Sequence, residues 1–215
     1  MLRLLGLVLL LATAAPPAAA DSPVTDSLTH YYTAQDAAAI ARLYAEARTR
    51  EERLLCSYRL YPLTNDDDWL TSLPSDPTST SARELALIAA HWGYRAATAP
   101  AWRIPTYGRR AESILRRAQA LDPAEPYVLL VEGQTLFYKP ALFGGDVEAA
   151  RARFEQLRNV LGRGGVPGLH PFEAEVWIWL TYHRERHPEA DRLREHLLAR
   201  QPPPLFRQFL LDPPA

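Results

Sequence analysis

Two neighbouring stretches of the chain repeat one another. Residues 92–123 read WGYRAATAPAWRIPTYGRRAESILRRAQALDP, and residues 132–157 read EGQTLFYKPALFGGDVEAARARFEQL. Glycine, proline and alanine recur in the same order in both stretches, with offsets of 40, 40 and 39 residues. The paired positions are Gly93 and Gly133, Pro100 and Pro140, and Ala111 and Ala150. Because several positions agree in order, the chain is predicted to contain a repeated structural unit.

Each repeated unit has the pattern of two helices joined by a turn. The second helix of each unit carries small and large apolar residues at helical spacing, which places them on one face. These residues are Ala111, Leu115 and Ala118 in the first unit, and Ala150, Phe154 and Leu157 in the second. Strand signals are nearly absent, because the chain has no sustained alternation of apolar and polar residues. The sequence therefore predicts an all-α protein built of antiparallel helical hairpins.

Helix starts are marked by capping residues. Thr49 with Glu52, and Ser81 with Glu84, have the spacing of a capping box, in which the hydroxyl accepts from an early amide while the glutamate reaches back. The helices are predicted at residues 34–47, 50–61, 82–98, 106–121, 126–138, 147–161, 171–186 and 189–200, with a short one at 204–210.

The repeated pattern resembles the tetratricopeptide repeat. That family places a small residue on its first helix, then alanine, a large apolar residue and alanine on its second, and proline at the exit. The resemblance implies that Gly93 and Gly133 lie where two helices cross closely, and that the hairpins stack as a short right-handed superhelix. The offset of 40 residues exceeds the family's usual repeat of about 34 residues.

The extra residues of the second unit lie between its two helices, at 138–146. Pro140 is expected to end the first helix, and Gly144 and Gly145 to supply backbone angles that other residues avoid. Asp146 is expected to cap the second helix. This Pro-x-x-Phe-Gly-Gly-Asp turn resembles that of exported bacterial repeat proteins, including the periplasmic component associated with some TRAP-type transporters.

The N-terminus has the pattern of a secretory signal peptide, with Arg3 before an apolar run at 4–12 and small residues at 18–20. The run is shorter than the ~20 residues that a membrane-spanning helix needs. We therefore expect an exported, periplasmic or secreted protein whose mature chain has no transmembrane segment. The predicted organisation is a signal peptide at 1–20, an N-terminal helical hairpin at 21–63, a polar loop at 64–80 that separates it from the rest, and a tetratricopeptide-like array at 81–215.

Composition limits the function classes. The formal net charge of −1 argues against nucleic-acid binding, which needs a basic surface. The single cysteine, Cys56, excludes an internal disulfide and is expected to be buried among its apolar neighbours. No cofactor motif is present, so none is predicted.

Three short motifs could carry chemistry, but each has a simpler structural interpretation. His183 and His187 lie four residues apart and could hold a metal, although Pro188 follows at once. The acidic run at 66–68 lacks the glycine of an EF-hand loop, and the glycines at 162–165 lack the residues of a phosphate-binding loop. No nucleophile, base and oxyanion site can be assembled, so the protein is predicted not to be an enzyme.

The resemblance implies a concave groove lined by the first helix of each hairpin, where peptides bind. The groove residues would be Leu87, Ala90, Tyr94, Tyr127, Leu130, Gln134 and Phe137, joined by Trp179 and His183 from a degenerate third unit. The leading prediction is a non-catalytic exported scaffold that holds a protein or peptide partner in this groove. Two alternatives stay open: a small-molecule-binding accessory protein of a transporter, and a metal-dependent hydrolase that rests on the two histidines alone.

Overall fold

The computed structural model describes residues 23–71, 73–74 and 77–214, so the predicted signal peptide lies outside the described residues. Within these ranges the regular structure is entirely helical, which confirms the all-α prediction. The α-helices are α1 (Pro23–Thr33), α2 (Ala37–Glu46), α3 (Arg50–Thr64), α4 (Ala82–Thr98), α5 (Ile104–Leu121), α6 (Pro126–Tyr138), α7 (Val147–Leu161), α8 (Pro171–Arg184), α9 (Glu189–Ala199) and α10 (Pro204–Leu211). Short 3-10 turns follow α3 at Asp67–Leu70 and α6 at Ala141–Phe143.

The predicted helix ends differ from the observed ends by at most three residues. The capping box at Thr49 forms in full: its hydroxyl accepts from the Glu52 amide at 3.1 Å, and the Glu52 carboxylate accepts from the Thr49 amide at 3.0 Å. At α4 only half of the box forms. The Ser81 hydroxyl accepts from the Glu84 amide, but the Glu84 carboxylate pairs with Arg50 of α3 at 3.2 Å.

Helix α1 is not predicted by the sequence pattern. Three of its buried side chains, those of Val24, Leu28 and Tyr32, recur every four residues on one face. The polar residues between them weaken the apolar signal, and the segment lies next to the predicted cleavage region. The spacing of the three buried residues is the signal that could have revealed the helix.

The two repeated units correspond to the hairpins α4–α5 and α6–α7, and α8 follows against α7. An ion pair between Arg83 and Glu125, 2.8 Å apart, joins the starts of α4 and α6. At the opposite end, Arg184 of α8 donates to the backbone carbonyl of Phe137 at 2.7 Å. Helices α4, α6 and α8 therefore run in the same direction, and the turns that follow α4 and α6 lie at the same end of these helices.

The two glycines of the repeat have different environments. A Cβ atom built on Gly133 would lie 2.5 Å from the ring of Phe154 in α7, so this glycine sits at a close helix crossing as expected. Gly93 is exposed, and a Cβ there would meet no atom within 4 Å. The expectation of a close crossing at Gly93 is therefore wrong. No neighbouring helix approaches this position, so the repeat in sequence is not matched by a repeated close contact.

Helix α3 runs beside α4 in the same direction. Arg50 pairs with Glu84 near the starts of the two helices, and Tyr61 stacks on Tyr94 near their ends, with ring centroids 4.7 Å apart. Two parallel neighbours need a connection that returns over the length of a helix, about 22 Å for fifteen residues. The loop after α3 makes this return, which explains its length. It is held by Trp92, whose indole donates to the Pro74 carbonyl at 3.2 Å.

The predicted N-terminal hairpin is therefore not separate from the array. Helices α1 to α3 and α4 to α8 contribute to one hydrophobic core, and residues 54–61 of α3 are all buried. The core sits between α3 and the first helices of the hairpins.

Candidate functional site

The groove implied by the family resemblance is occupied by α3 of the same chain. Tyr58 of α3 donates its hydroxyl hydrogen to the Gln134 side chain of α6 at 3.0 Å. The ring of Tyr58 also stacks on the ring of Tyr94 in α4, with the ring centroids 5.8 Å apart. The face formed by α4 and α6 is thus covered by aromatic side chains of the chain itself.

The predicted groove residues are placed accordingly. Leu87, Ala90, Tyr127, Leu130, Phe137 and Trp179 are buried, and Tyr94 and Gln134 are half-buried against α3. His183 alone of this group is exposed, and its ring stacks on Trp179 at 5.2 Å. The expectation that these residues line an open groove is wrong, because the N-terminal helices fold back onto the face that would bind a peptide.

A buried ion pair fastens α3 to α8. Arg59 donates through two nitrogens to the two carboxylate oxygens of Glu173, each at 2.8 Å, and one of them also donates to the Gly168 carbonyl. Its guanidinium lies 4.2 Å from the ring centroid of Tyr32 in α1. Burial alone would lower the pKa of Arg59, but the Glu173 carboxylate holds it well above its ordinary value. Burial raises the pKa of Tyr32 to about 12, so its hydroxyl stays protonated at neutral pH.

Sequence reasoning missed this ion pair. The available signal is an arginine inside the run LLCSYRLY at 54–61, whose other residues are nearly all apolar or aromatic. A charge in such a run is buried only when a partner neutralises it. Nothing in the sequence identifies Glu173, which lies 114 residues away.

A serine and a histidine also meet in the core. Ser57 Oγ lies 2.8 Å from His91 Nε2, while His91 Nδ1 lies 2.6 Å from the Leu87 carbonyl. Since a carbonyl can only accept, Nδ1 carries the hydrogen and Nε2 accepts from the Ser57 hydroxyl. Burial lowers the pKa of His91 to about 4. The pair has the distance of a nucleophile and its base, but His91 is 0% exposed, so a substrate has no access to it.

The other chemical candidates stay apart. His187 Nδ1 accepts from the Glu189 amide at 3.2 Å, and within the described residues no group of three or more histidine, cysteine or acidic side chains could hold a metal ion. Cys56 is buried as expected, and burial raises the pKa of its thiol to about 12. A buried thiol with a raised pKa is unreactive, because the thiolate is the reactive form.

The exposed apolar side chains are concentrated at the turns inside the two repeated units. Five of the seven large apolar residues that are exposed in the described part of the chain lie there. They are Trp102 and Ile104, just before and at the start of α5, and Tyr138, Leu142 and Phe143, at and just after the end of α6. We call these five residues the turn edge. Leu142 is 89% exposed, Trp102 71% and Phe143 66%. Both turns lie at the same end of the array, so the turn edge is one side of the molecule.

The second turn is held rigidly. Gly144 has a φ of 91°, which favours glycine, and a Cβ on Gly145 would collide with the Lys139 carbonyl. The Asp146 carboxylate caps α7 by accepting from the Ala149 amide at 2.9 Å, as predicted. Lys139 pairs with Glu112 of α5 and ties the turn to the neighbouring hairpin. Leu142 and Phe143 are therefore presented to solvent by fixed backbone.

No protein-family model matches the chain, and no match was found among curated proteins or among solved structures. None of the helices in the described ranges combines the length and apolar character that crossing a membrane requires.

Proposed function

We propose that this protein is an exported, non-catalytic scaffold of tetratricopeptide-like hairpins that binds a protein partner through the turn edge. The pattern of residues 1–20 supports export. The close crossing at Gly133 and the common direction of α4 and α6 support the hairpin stack. The buried Ser57–His91 pair offers no accessible reaction centre, which favours binding over catalysis.

The observation that carries the proposal is the exposure of Leu142, Phe143 and Trp102 on ordered turns. Grouped apolar exposure on a soluble protein is typical of interaction surfaces. Tryptophan and other large side chains on fixed backbone lose little conformational entropy on binding, which makes them effective anchors. The energy that would stabilise a complex is thus available at the turn edge.

The same observation favours a protein partner over a small molecule. The aromatic interior leaves no small-molecule site there, since Tyr58 of α3 packs on Tyr94 of α4 and on Tyr127 of α6. A small ligand needs a concave site that covers most of its surface. The turn edge instead projects outward, which suits contact with another macromolecule.

Capture of partners from a native envelope extract by the immobilised full chain tests the proposal. We expect the variant Leu142→Ser with Phe143→Ser to lose a partner that the wild type retains. The matched control is Leu121→Ser with Leu211→Ser, which removes two exposed leucines outside the turns. Equal retention by both double variants, with all proteins folded by circular dichroism, would contradict the proposal.

A further inference from the structure

Arginines without acidic partners gather beside the turn edge. Residues 85–111 contain four arginines and no aspartate or glutamate. Three of these arginines, Arg95, Arg103 and Arg110, lie near the turn between α4 and α5. In the part of the chain that the structure describes, none of the three has an ion pair or a side-chain hydrogen bond. Elsewhere arginines such as Arg83 and Arg151 are paired.

Aromatic faces hold these guanidinium groups in place. Arg95 and Arg110 lie 5.3 Å and 4.7 Å from the ring of Trp92, and Arg103 lies 4.4 Å from the ring of Trp102. Stacking uses the flat face of a guanidinium and leaves the N–H groups at its rim available. The arginines are therefore positioned without their donors being used.

Helix stability accounts for only one member of the cluster, since Arg95 lies in the last turn of α4, where positive charge is favourable. Arg103 is the residue that precedes α5, and Arg110 lies in its second turn. Positive charge near the start of a helix opposes the helix dipole and destabilises the helix. At Arg103 the charge therefore opposes the dipole of α5, and a bound anion would supply the missing negative charge.

The cluster borders a surface depression of about 240 Å³. Arg95, Arg103 and Tyr107 form one wall, and Asp67 and Asp68 of the loop after α3 line the other. Neither aspartate forms an ion pair with these arginines in the described part of the chain. The two carboxylates reduce the positive potential of the site, so an incoming anion has to compete with them.

We propose that Arg95, Arg103 and Arg110 bind the carboxylates of an acidic segment of the partner, while an apolar residue of that segment packs on Trp102. This inference rests on the proposed function and adds the chemistry of the partner. A guanidinium matches a carboxylate with two parallel hydrogen bonds, and tryptophan, tyrosine and arginine together make strong interface anchors. Asp67 and Asp68 disfavour a broad anionic surface such as a membrane, because a flat sheet of phosphates would approach them too.

Selection of random displayed peptides on the immobilised full chain tests this inference. We expect the selected peptides to be enriched in aspartate and glutamate beside an apolar residue, and to bind less tightly as salt is raised. For one such peptide, Arg95→Gln with Arg110→Gln should weaken binding about tenfold or more. Asp67→Asn with Asp68→Asn should strengthen it, because the competing carboxylates are removed.

The control is Arg192→Gln with Arg194→Gln on α9, which removes two charges distant in sequence and should leave binding unchanged. Selected peptides without acidic residues, or equal affinity in the two arginine double variants, would overturn the inference. Binding to phosphatidylglycerol vesicles in place of peptides would also overturn it. If the Leu142 and Phe143 variant loses the natural partner while the Arg95 and Arg110 variant keeps it, the proposed function stands and this inference fails.

Discussion

Gly133 and Gly93 occupy equivalent positions of the repeat, but only Gly133 lies against another helix. We expect Gly133→Ala to destabilise the protein by about 1–2 kcal/mol, because overpacking against Phe154 outweighs the gain in helix propensity. Gly93→Ala should stabilise it by about 0.5–1 kcal/mol, since its methyl group meets open space. Urea unfolding of the two variants measures both effects. If both variants change the free energy of unfolding in the same direction, Gly133 does not lie at a close helix crossing.

His91 gives the stability of the fold a dependence on pH. Burial lowers its pKa from 6.5 to about 4, so the unfolded chain binds a proton more readily than the folded one between these values. The neutral histidine therefore contributes fully above pH 6.5, and stability is lost as the pH falls toward 4. The loss attributable to His91 between pH 7 and pH 5 is about 2 kcal/mol.

Unfolding at several pH values checks this contribution. His91→Gln should show a shallower loss of unfolding free energy from pH 7 to pH 5 than the wild type. His196→Gln removes an exposed histidine and should follow the wild-type slope. A wild-type slope in the His91 variant would mean that other groups carry the dependence.

The attachment of α3 to α8 depends on Arg59 and Glu173. Removing one partner leaves a buried charge without compensation, so Arg59→Met or Glu173→Gln should each cost about 3–5 kcal/mol. The double variant should lose less than the sum of the two, because neither charge is then left alone. Thermal and urea unfolding measure these values.

An exposed pair on the same helix is the matched comparison. Arg200 of the segment after α9 pairs with Glu175 of α8, at a site where the arginine remains substantially exposed to water. Arg200→Gln should cost less than about 1 kcal/mol, because solvent screens exposed ion pairs. If Arg200→Gln and Arg59→Met lower the free energy of unfolding by the same amount, burial does not set the strength of the Arg59–Glu173 pair.

The helices themselves follow from the sequence, because capping residues, prolines and apolar spacing are local signals. Thr49 and Asp146 cap the helices they were expected to cap. The packing of α3 is not a local property. Residues 54–61 are apolar or aromatic except for Ser57 and Arg59, which predicts a buried helix without stating which helices bury it. The long loop before α4 is the remaining hint, since parallel helices need a long return.

The turn edge could not be predicted for a related reason. Leu142 and Phe143 are apolar, and an apolar residue is assigned to the core unless the fold shows otherwise. The Pro-x-x-Phe-Gly-Gly-Asp pattern predicted the turn itself, but exposure depends on where the neighbouring hairpins end. The unpaired arginines could not be predicted either, because their lack of partners is visible only when every acidic side chain has been placed.

The molecule has one core in which α3 fills the face of α4, α6 and α8, and the turn edge is the binding site that we propose. Amide hydrogen exchange followed by mass spectrometry tests this description most directly. Residues 50–64 should exchange as slowly as 82–98 and 126–138, and much more slowly than the loop at 65–81. Fast exchange at 50–64 with protected helices at 82–98 and 126–138 would show an open groove and contradict the account.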